Sequence, residues 1–344
     1  MKTYYIGADV HKHSSNLAIM NKNQIIRREE FRTEIPNFLK LFEELNGNVY
    51  MIIEESTLAG WLYCNLHDKV KNFVVCDPRK NRAIYDDGDK DDQIDAGKLV
   101  EILKNKSYRE VYHNDDADRI ELKAWVKLYD THVKEVVSCK NKIYSLGGKY
   151  GVIIPASVVK NVKLRNKWHL NISDTRLLSQ LNFLFTSLDD KVKQVKLAKR
   201  QLEALCGKYD VIDKWCQLPG IGLIRAATIF TYIDTPFRFS NRSKLHKYCG
   251  VGLVRSTSGT DQNGRPKATR LKLPKYYNRH LKNAFVGGAL SAISANNNMF
   301  KDYYESLILK GKYANTARRC VARKLINTMM GMWKSKQPYI EGLA

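Results

Sequence analysis

Apolar positions run along this chain in two rhythms, and the change of rhythm divides it. Through residues 1–107, short apolar runs alternate with helical spacings. Tyr4–Ala8 is an apolar run that ends at Asp9, and Leu17–Met20 and Gln24–Phe31 read as two further strands joined by the polar turn Asn21-Lys22-Asn23. Pro36 opens a helical pattern through Phe38, Leu39, Leu41, Phe42 and Leu45, which Gly47 closes. Val49–Ile53 is a β-branched run ending in Glu54-Glu55. Leu58–Leu66 predicts a helix, Phe73–Cys76 a strand and Asp92–Leu103 a helix. Three strands in hairpin order, followed by strand–helix alternation, predict a mixed α/β layer fold.

Between residues 116 and 207 the spacing becomes three and four. Leu178, Leu181, Phe185, Leu188, Val192, Val195, Lys199, Leu202 and Cys206 fall on one stripe, eight of nine of them apolar. That is a coiled-coil seam of about four heptads with one polar break. A second run carries Leu122, Val126, Tyr129, Val133 and Val136. An intramolecular hairpin and an oligomerisation arm both satisfy such a seam. Lys149–His169, between the runs, is basic and irregular and reads as a loop or linker. Residues 210–344 are helical in pattern, broken by a Gly-rich basic stretch around Arg255–Arg265. The division is therefore 1–107 as an α/β domain, 108–209 as a helical coiled-coil connector and 210–344 as an all-α domain.

Composition narrows the function classes. With 44% hydrophobic residues the chain can build cores, which excludes wholesale disorder. No apolar run approaches the roughly 18 residues of a membrane span, and Met1–Asp9 does not look like a signal peptide. The seven cysteines include no Cys-x-x-Cys pair, which speaks against a disulfide framework or zinc site and for a reducing cytoplasm. Charge says more. The net +23 calls for a polyanionic partner. Residues 1–150 hold 24 basic and 24 acidic side chains, whereas 151–344 hold 34 and 11, so the whole excess sits in the second part. A neutral part with acidic clusters joined to a basic part suggests divided labour, metal in one and phosphate in the other.

The carboxylates give that division its chemistry. Asp9 follows the first strand, Glu54 ends a later one, and Asp92 and Asp95 stand three apart on one helix face. Four converging carboxylates repel one another unless divalent cations offset the charge, and hard oxygen donors suit Mg²⁺. Two such ions about 3.5–4 Å apart hold both the attacking and the leaving oxygen of a phosphoryl transfer. In the basic part, Leu218-Pro219-Gly220-Ile221-Gly222 is a tight turn between helical patterns. It has the form of a helix–hairpin–helix, whose free backbone N–H groups at Gly220 and Gly222, with Arg225 beyond them, are candidates to bind phosphate. Arg255, Arg265, Lys267 and Arg270 are further candidates for nucleic-acid contact. The hydroxyl-rich stretch Arg255-Ser256-Thr257-Ser258-Gly259-Thr260 reads by itself as a phosphate-binding turn. A serine there would need a base or metal to become a nucleophile, and His246 and His280 stand as undistinguished partners.

Gly7-Ala8-Asp9-Val10-His11-Lys12, Ile53-Glu54-Glu55-Ser56-Thr57 and Asp92-Gln93-Ile94-Asp95-Ala96, in this order, resemble the DEDD-type transposases of bacterial insertion sequences, relatives of the pilin-gene-inverting recombinases. The resemblance continues through Leu218–Gly222, Lys244–Gly252 and Ser258-Gly259 and takes in nearly the whole chain. It implies an RNase H-like, Holliday-junction-resolvase-like N-terminal domain with a Mg²⁺-binding tetrad of Asp9, Glu54, Asp92 and Asp95. It also implies Ser258 as the nucleophile that forms a covalent link to DNA. Homo-oligomers, dimers or tetramers, follow from it, as does a nucleoid-associated bacterial protein with no membrane. DNA is then the substrate, and a guide (bridge) RNA is a candidate partner because some relatives choose their sites with one. Three departures leave alternatives open: Glu55 beside Glu54, Asp91 beside Asp92, and Ser256 beside Ser258.

Overall fold

The computed structural model of the chain describes residues 1–78, 92–256 and 270–340, with backbone alone at Asp92, Gln93, Ser256 and Arg270. The chain divides into two compact units, Met1–Asp116 and Ala117–Ala344.

The first unit is a five-stranded sheet. β1 (Thr3–Val10), β2 (Ser14–Asn21) and β3 (Gln24–Arg32) form an antiparallel meander, and β4 (Asn48–Glu54) and β5 (Asn72–Cys76) add in parallel on the other side of β1, giving the order β3-β2-β1-β4-β5. Alternation along β1 assigns its two faces. Tyr4, Ile6 and Ala8 pack under α1 (Ile35–Leu45) and α2 (Ala59–Leu66), through Phe38, Leu41 and Leu62. Tyr5 belongs to the other face, which is covered by α3 (Asp92–Lys104) through Ala96, Leu99 and Val100. The strands that the apolar runs predict are all present, and β2 is longer than its run. It begins at Ser14 because Ser15 and Asn16 pair with Val10 and Asp9, an extension that backbone pairing creates and hydrophobicity does not signal.

The second unit is helical. The predicted seam is met within the chain: α4 (Ala117–Lys149) and α7 (Thr175–Cys206) pack antiparallel, tied by Asp118–Lys208 at 2.7 Å and Glu135–Lys191 at 3.1 Å. Leu181, Phe185, Leu188, Leu202 and Cys206 are buried on the expected stripe and Lys199, its polar break, is exposed. At the tip Leu177 rather than Leu178 takes the buried place. The stretch that reads as a linker holds two short helices, α5 (Ala156–Lys160) and α6 (Val162–His169). They form because Asn161 caps α6, its side chain accepting from Lys163 N and Leu164 N, and because Arg165 is buried against Asp189 at 2.7 Å with its guanidinium over Phe185. Neither contact is visible in local periodicity.

The base of that hairpin shares one core with the helices that follow. α8 (Asp210–Cys216), α9 (Leu223–Ile233), α10 (Arg242–Tyr248), α11 (Arg279–Ser294), α12 (Met299–Leu309) and α13 (Ala314–Ser335) enclose Trp215, Phe230, Phe285 and Phe300 together with Leu122, Val126 and Leu202. The buried Trp215 indole donates to Met329 O at 3.1 Å. A short ribbon of β6 (Val254–Ser256) and β7 (Arg270–Lys272) pairs antiparallel. Among the described residues no helix is long and apolar enough to cross a membrane.

Candidate functional site

A glycine sets the acidic positions of the first unit toward one end of the sheet. A Cβ built on Gly7 would stand 2.4 Å from both Ala96 O and Val100 N, so α3 rests its backbone directly on β1 and nothing larger than hydrogen fits between. The helix also has a direction. The Lys104 ammonium at its last turn donates to Asn23 Oδ1 in the β2–β3 turn, beside the end where β1 begins. Its first turns therefore stand toward the other end of β1, where Asp9 is. Asp95 immediately precedes the Ala96 that meets Gly7 and is half-buried. Asp92 is the first residue of the helix.

Asp9 and Glu54 meet at that same end. β1 and β4 are parallel with Ala8 opposite Ile53, which carries Asp9 and Glu54 to neighbouring positions at the carboxyl ends of both strands. Alternation also separates the two adjacent glutamates. Ile53 faces α1 and α2, so Glu54, with Ile52, faces α3. Glu55 turns away and its carboxylate meets His113 Nε2 at 2.7 Å, part of a strap (residues 110–115) that also sets His67 against Asp115 at 3.2 Å. Asp9 is held at 3.2 Å from His11 Nε2. The donors are carboxylate oxygens, which suit a hard divalent cation. Among the described residues no three His, Cys, Asp or Glu side chains close into a group that could hold a metal ion, and the Asp92 side chain and Asp91 lie outside them. Sequence reasoning leaves out Asn16, which pairs directly with Asp9 across β1 and β2. It also leaves Gly7 without a role, although the glycine stands in the quoted motif.

In the second unit the Leu218–Gly222 turn joins α8 to α9. Gly220 has φ +80°, and a Cβ on it would stand 2.2 Å from Gly288 O, so the turn is seated on α11. Arg225 clamps it there, donating to Gly220 O at 2.7 Å and Ser291 Oγ at 3.1 Å. Gly222 caps α9 with open space around its Cα. Arg255 is exposed on β6, and β7 begins at Arg270 opposite Ser256. Ser258, Arg265 and Lys267 lie outside the described residues. The two histidines now differ. His246 hydrogen-bonds Asn327 Oδ1 at 3.0 Å, and burial holds its pKa below the usual range, assisted by Arg323 and Arg242. His280 pairs through Nδ1 with Asp130 at 2.9 Å and stacks on Tyr232.

Residues 6–146 match a model of DEDD transposases of the IS110 kind, described as "Transposase". Residues 214–305 match one described as "Transposase IS116/IS110/IS902 family". The chain is also 25% identical over 149 residues to the "Insertion element IS110 uncharacterized 43.6 kDa protein" of Streptomyces coelicolor, a stretch covering 43% of this chain and 35% of that protein. The chain thus spans about a third of the length of that curated relative. One model runs from β1 through most of α4 and the other from α8 into α12, and with both the protein belongs to the IS116/IS110/IS902 family of transposases.

Proposed function

We propose that the protein is a transposase, a DNA recombinase that cuts and rejoins strands through a serine–DNA intermediate at a Mg²⁺-dependent site. The observation that carries this reading is the placement of Asp9, Glu54 and the first turns of α3 toward one end of one sheet face, with Gly7 letting the helix rest on β1. The strand order, an antiparallel three-stranded meander extended by two parallel strands, supports the RNase H-like assignment of the first unit. Asp9, Glu54, Asp92 and Asp95 are the residues that would hold Mg²⁺. When bound, Mg²⁺ would supply charge neutralisation at the reacting phosphate.

The remaining steps belong to the chain itself. Ser258 Oγ attacks phosphorus, one P–O bond forms as the P–O bond to the departing strand breaks, and the serine proton leaves with a base. The phosphodiester is conserved on the enzyme, so rejoining needs no ATP. The second unit, net positive, holds the nucleic acid through Gly222, Arg255, Arg265, Lys267 and Arg270. DNA accounts for that charge, and a guide RNA would satisfy the same chemistry. The seam between α4 and α7 supports a helical arm, and the homo-oligomer is part of the proposal.

The test is a denaturing gel of labelled element-end DNA incubated with protein and Mg²⁺. A protease-sensitive, slow-migrating adduct is expected with wild type, lost in Ser258→Ala, kept in Ser256→Ala, and lost in Asp9→Ala or Asp95→Ala while DNA binding persists. Cleavage without an adduct, at full rate in Ser258→Ala, would make the protein a hydrolytic junction nuclease instead.

A further inference from the structure

The row of side chains that crosses the sheet at the Asp9 level contains a polar residue with nothing to do. In register, Asp9 on β1 stands opposite Asn16 on β2, and Asn16 opposite Glu30 on β3. Residues directly opposite in an antiparallel pair have Cβ atoms about 4.5–5.5 Å apart. Ser15 and Leu17 point to the other face, Leu17 into the core under α1 and α2 and Ser15 to Thr33 Oγ1 at 2.8 Å. Ala18 and Met20 pack against α3. Asn16 therefore faces the α3 side, between the carboxylates of Asp9 and Glu30.

Asn16 is only 5% exposed, yet its side chain makes no hydrogen bond among the described residues. An amide so nearly buried that has no protein partner is completed by a bound water or a ligand. Its neighbours say which kind. An amide adds one acceptor oxygen and two N–H donors between two carboxylates without adding to their repulsion. A small divalent cation keeps several of its waters, and each water needs an acceptor outside the ion. We propose that Asn16 is a positioning residue of the carboxylate site, its amide holding a water in the hydration shell of a divalent cation bound at Asp9. The inference rests on the cation reading of that site and extends it to a residue outside the tetrad.

Mn²⁺ titrated calorimetrically into the full chain tests it, with wild type, Asp9→Ala, Asn16→Leu and Asn16→Asp compared, each also melted in EDTA. Asn16→Leu is expected to weaken the Asp9-dependent Mn²⁺ affinity by about tenfold or more, the usual effect of removing a partner that orients a metal site. In EDTA it should melt at or above the wild-type temperature, because an apolar side chain of similar volume replaces an amide that had no partner. Asn16→Asp keeps the acceptor oxygens, so it should bind Mn²⁺ at least as tightly as wild type. It should also melt lower in EDTA, where a third carboxylate joins the row. Unchanged Mn²⁺ affinity in Asn16→Leu overturns the proposal. So does a fall in its EDTA melting temperature, which would make the amide a part of the fold. If Asn16→Leu does not fold, weaker binding by Asn16→Asp overturns it. A wild type whose Mn²⁺ binding survives Asp9→Ala, or is absent, removes the cation reading itself and this inference with it. That result is distinct from a cation site that ignores position 16.

Discussion

The two units use the same packing device for opposite ends. In the first, Gly7 lets the backbone of α3 touch β1, and the contact brings acidic side chains to one end of a sheet. In the second, Gly220 lets a turn touch α11, and the contact seats a tight turn in a basic unit. Their charges differ accordingly. Residues 1–116 hold 17 basic and 20 acidic side chains, net −3, and residues 117–344 hold 41 and 15, net +26. A carboxylate site demands convergence at hydrogen-bond scale, because hard cations accept only oxygens held close together. Phosphate attraction demands only density of positive charge over a surface. The first unit is thus sensitive to the placement of single atoms, and the second to sums.

The largest expected effect tests that sensitivity. Gly7→Ala forces α3 off β1 and should destabilise the first unit by about 3 kcal/mol, at the upper end of overpacking costs. In a melt followed by calorimetry, the transition of the first unit should fall while that of the helical unit stays. Cleavage should be lost and DNA retention kept. Loss of DNA binding with the fold of the second unit intact would break the comparison.

A smaller contrast lies within the basic unit. Arg225 and Arg255 are both candidates for phosphate contact, but Arg225 already spends two donors on Gly220 O and Ser291 Oγ, and Arg255 is exposed. Arg225→Ala should cost about 1–2 kcal/mol of stability. Arg255→Ala should leave the melting temperature alone and lower the slope of log K against log[salt] by about 0.9 on duplex DNA. Fluorescence anisotropy across a salt series, beside thermal melts, separates them. Exchanged outcomes would mean that the turn, rather than the ribbon, meets the nucleic acid.

The smallest effect concerns pH. Burial depresses the folded-state pKa of His246 below its ordinary value near 6.5. Above pH 6.5 both folded and unfolded forms are neutral, and nothing is gained. As pH falls below about 6.5 the unfolded chain takes up a proton that the folded one refuses, so stability declines. His169 shifts in the same direction by burial. His246→Gln should flatten part of that decline, read from urea midpoints at pH 7.5 and 5.5.

Much of this was legible in the chain itself. The alternation of apolar runs, the Asp9 and Glu54 termini of two strands, the helix carrying Asp92 and Asp95, and the charge partition are all local or additive properties. Periodicity of two or 3.6 reports which positions share a face, because side-chain direction repeats with the backbone. The seam of α7 is a case in point, down to the exposed Lys199 at its polar break.

Partnership was decided only by the tertiary structure. Nothing near Gly7 in sequence indicates that Ala96 and Val100 will press on it, and nothing near Gly220 points to Gly288. That Glu54 lies on the α3 side while Glu55 meets His113 depends on which face of the sheet is covered by which helix, a fact that neither residue's neighbours contain. Asn16 is the extreme example. It stands outside the apolar run Leu17–Met20, and its buried place beside Asp9 comes from β2 pairing back along β1. Sequence determined which elements form and where charge accumulates, since propensity, periodicity and charge act over a few residues or simply add. Which groups oppose one another depends on contacts between distant segments, and those exist only once the chain has closed on itself.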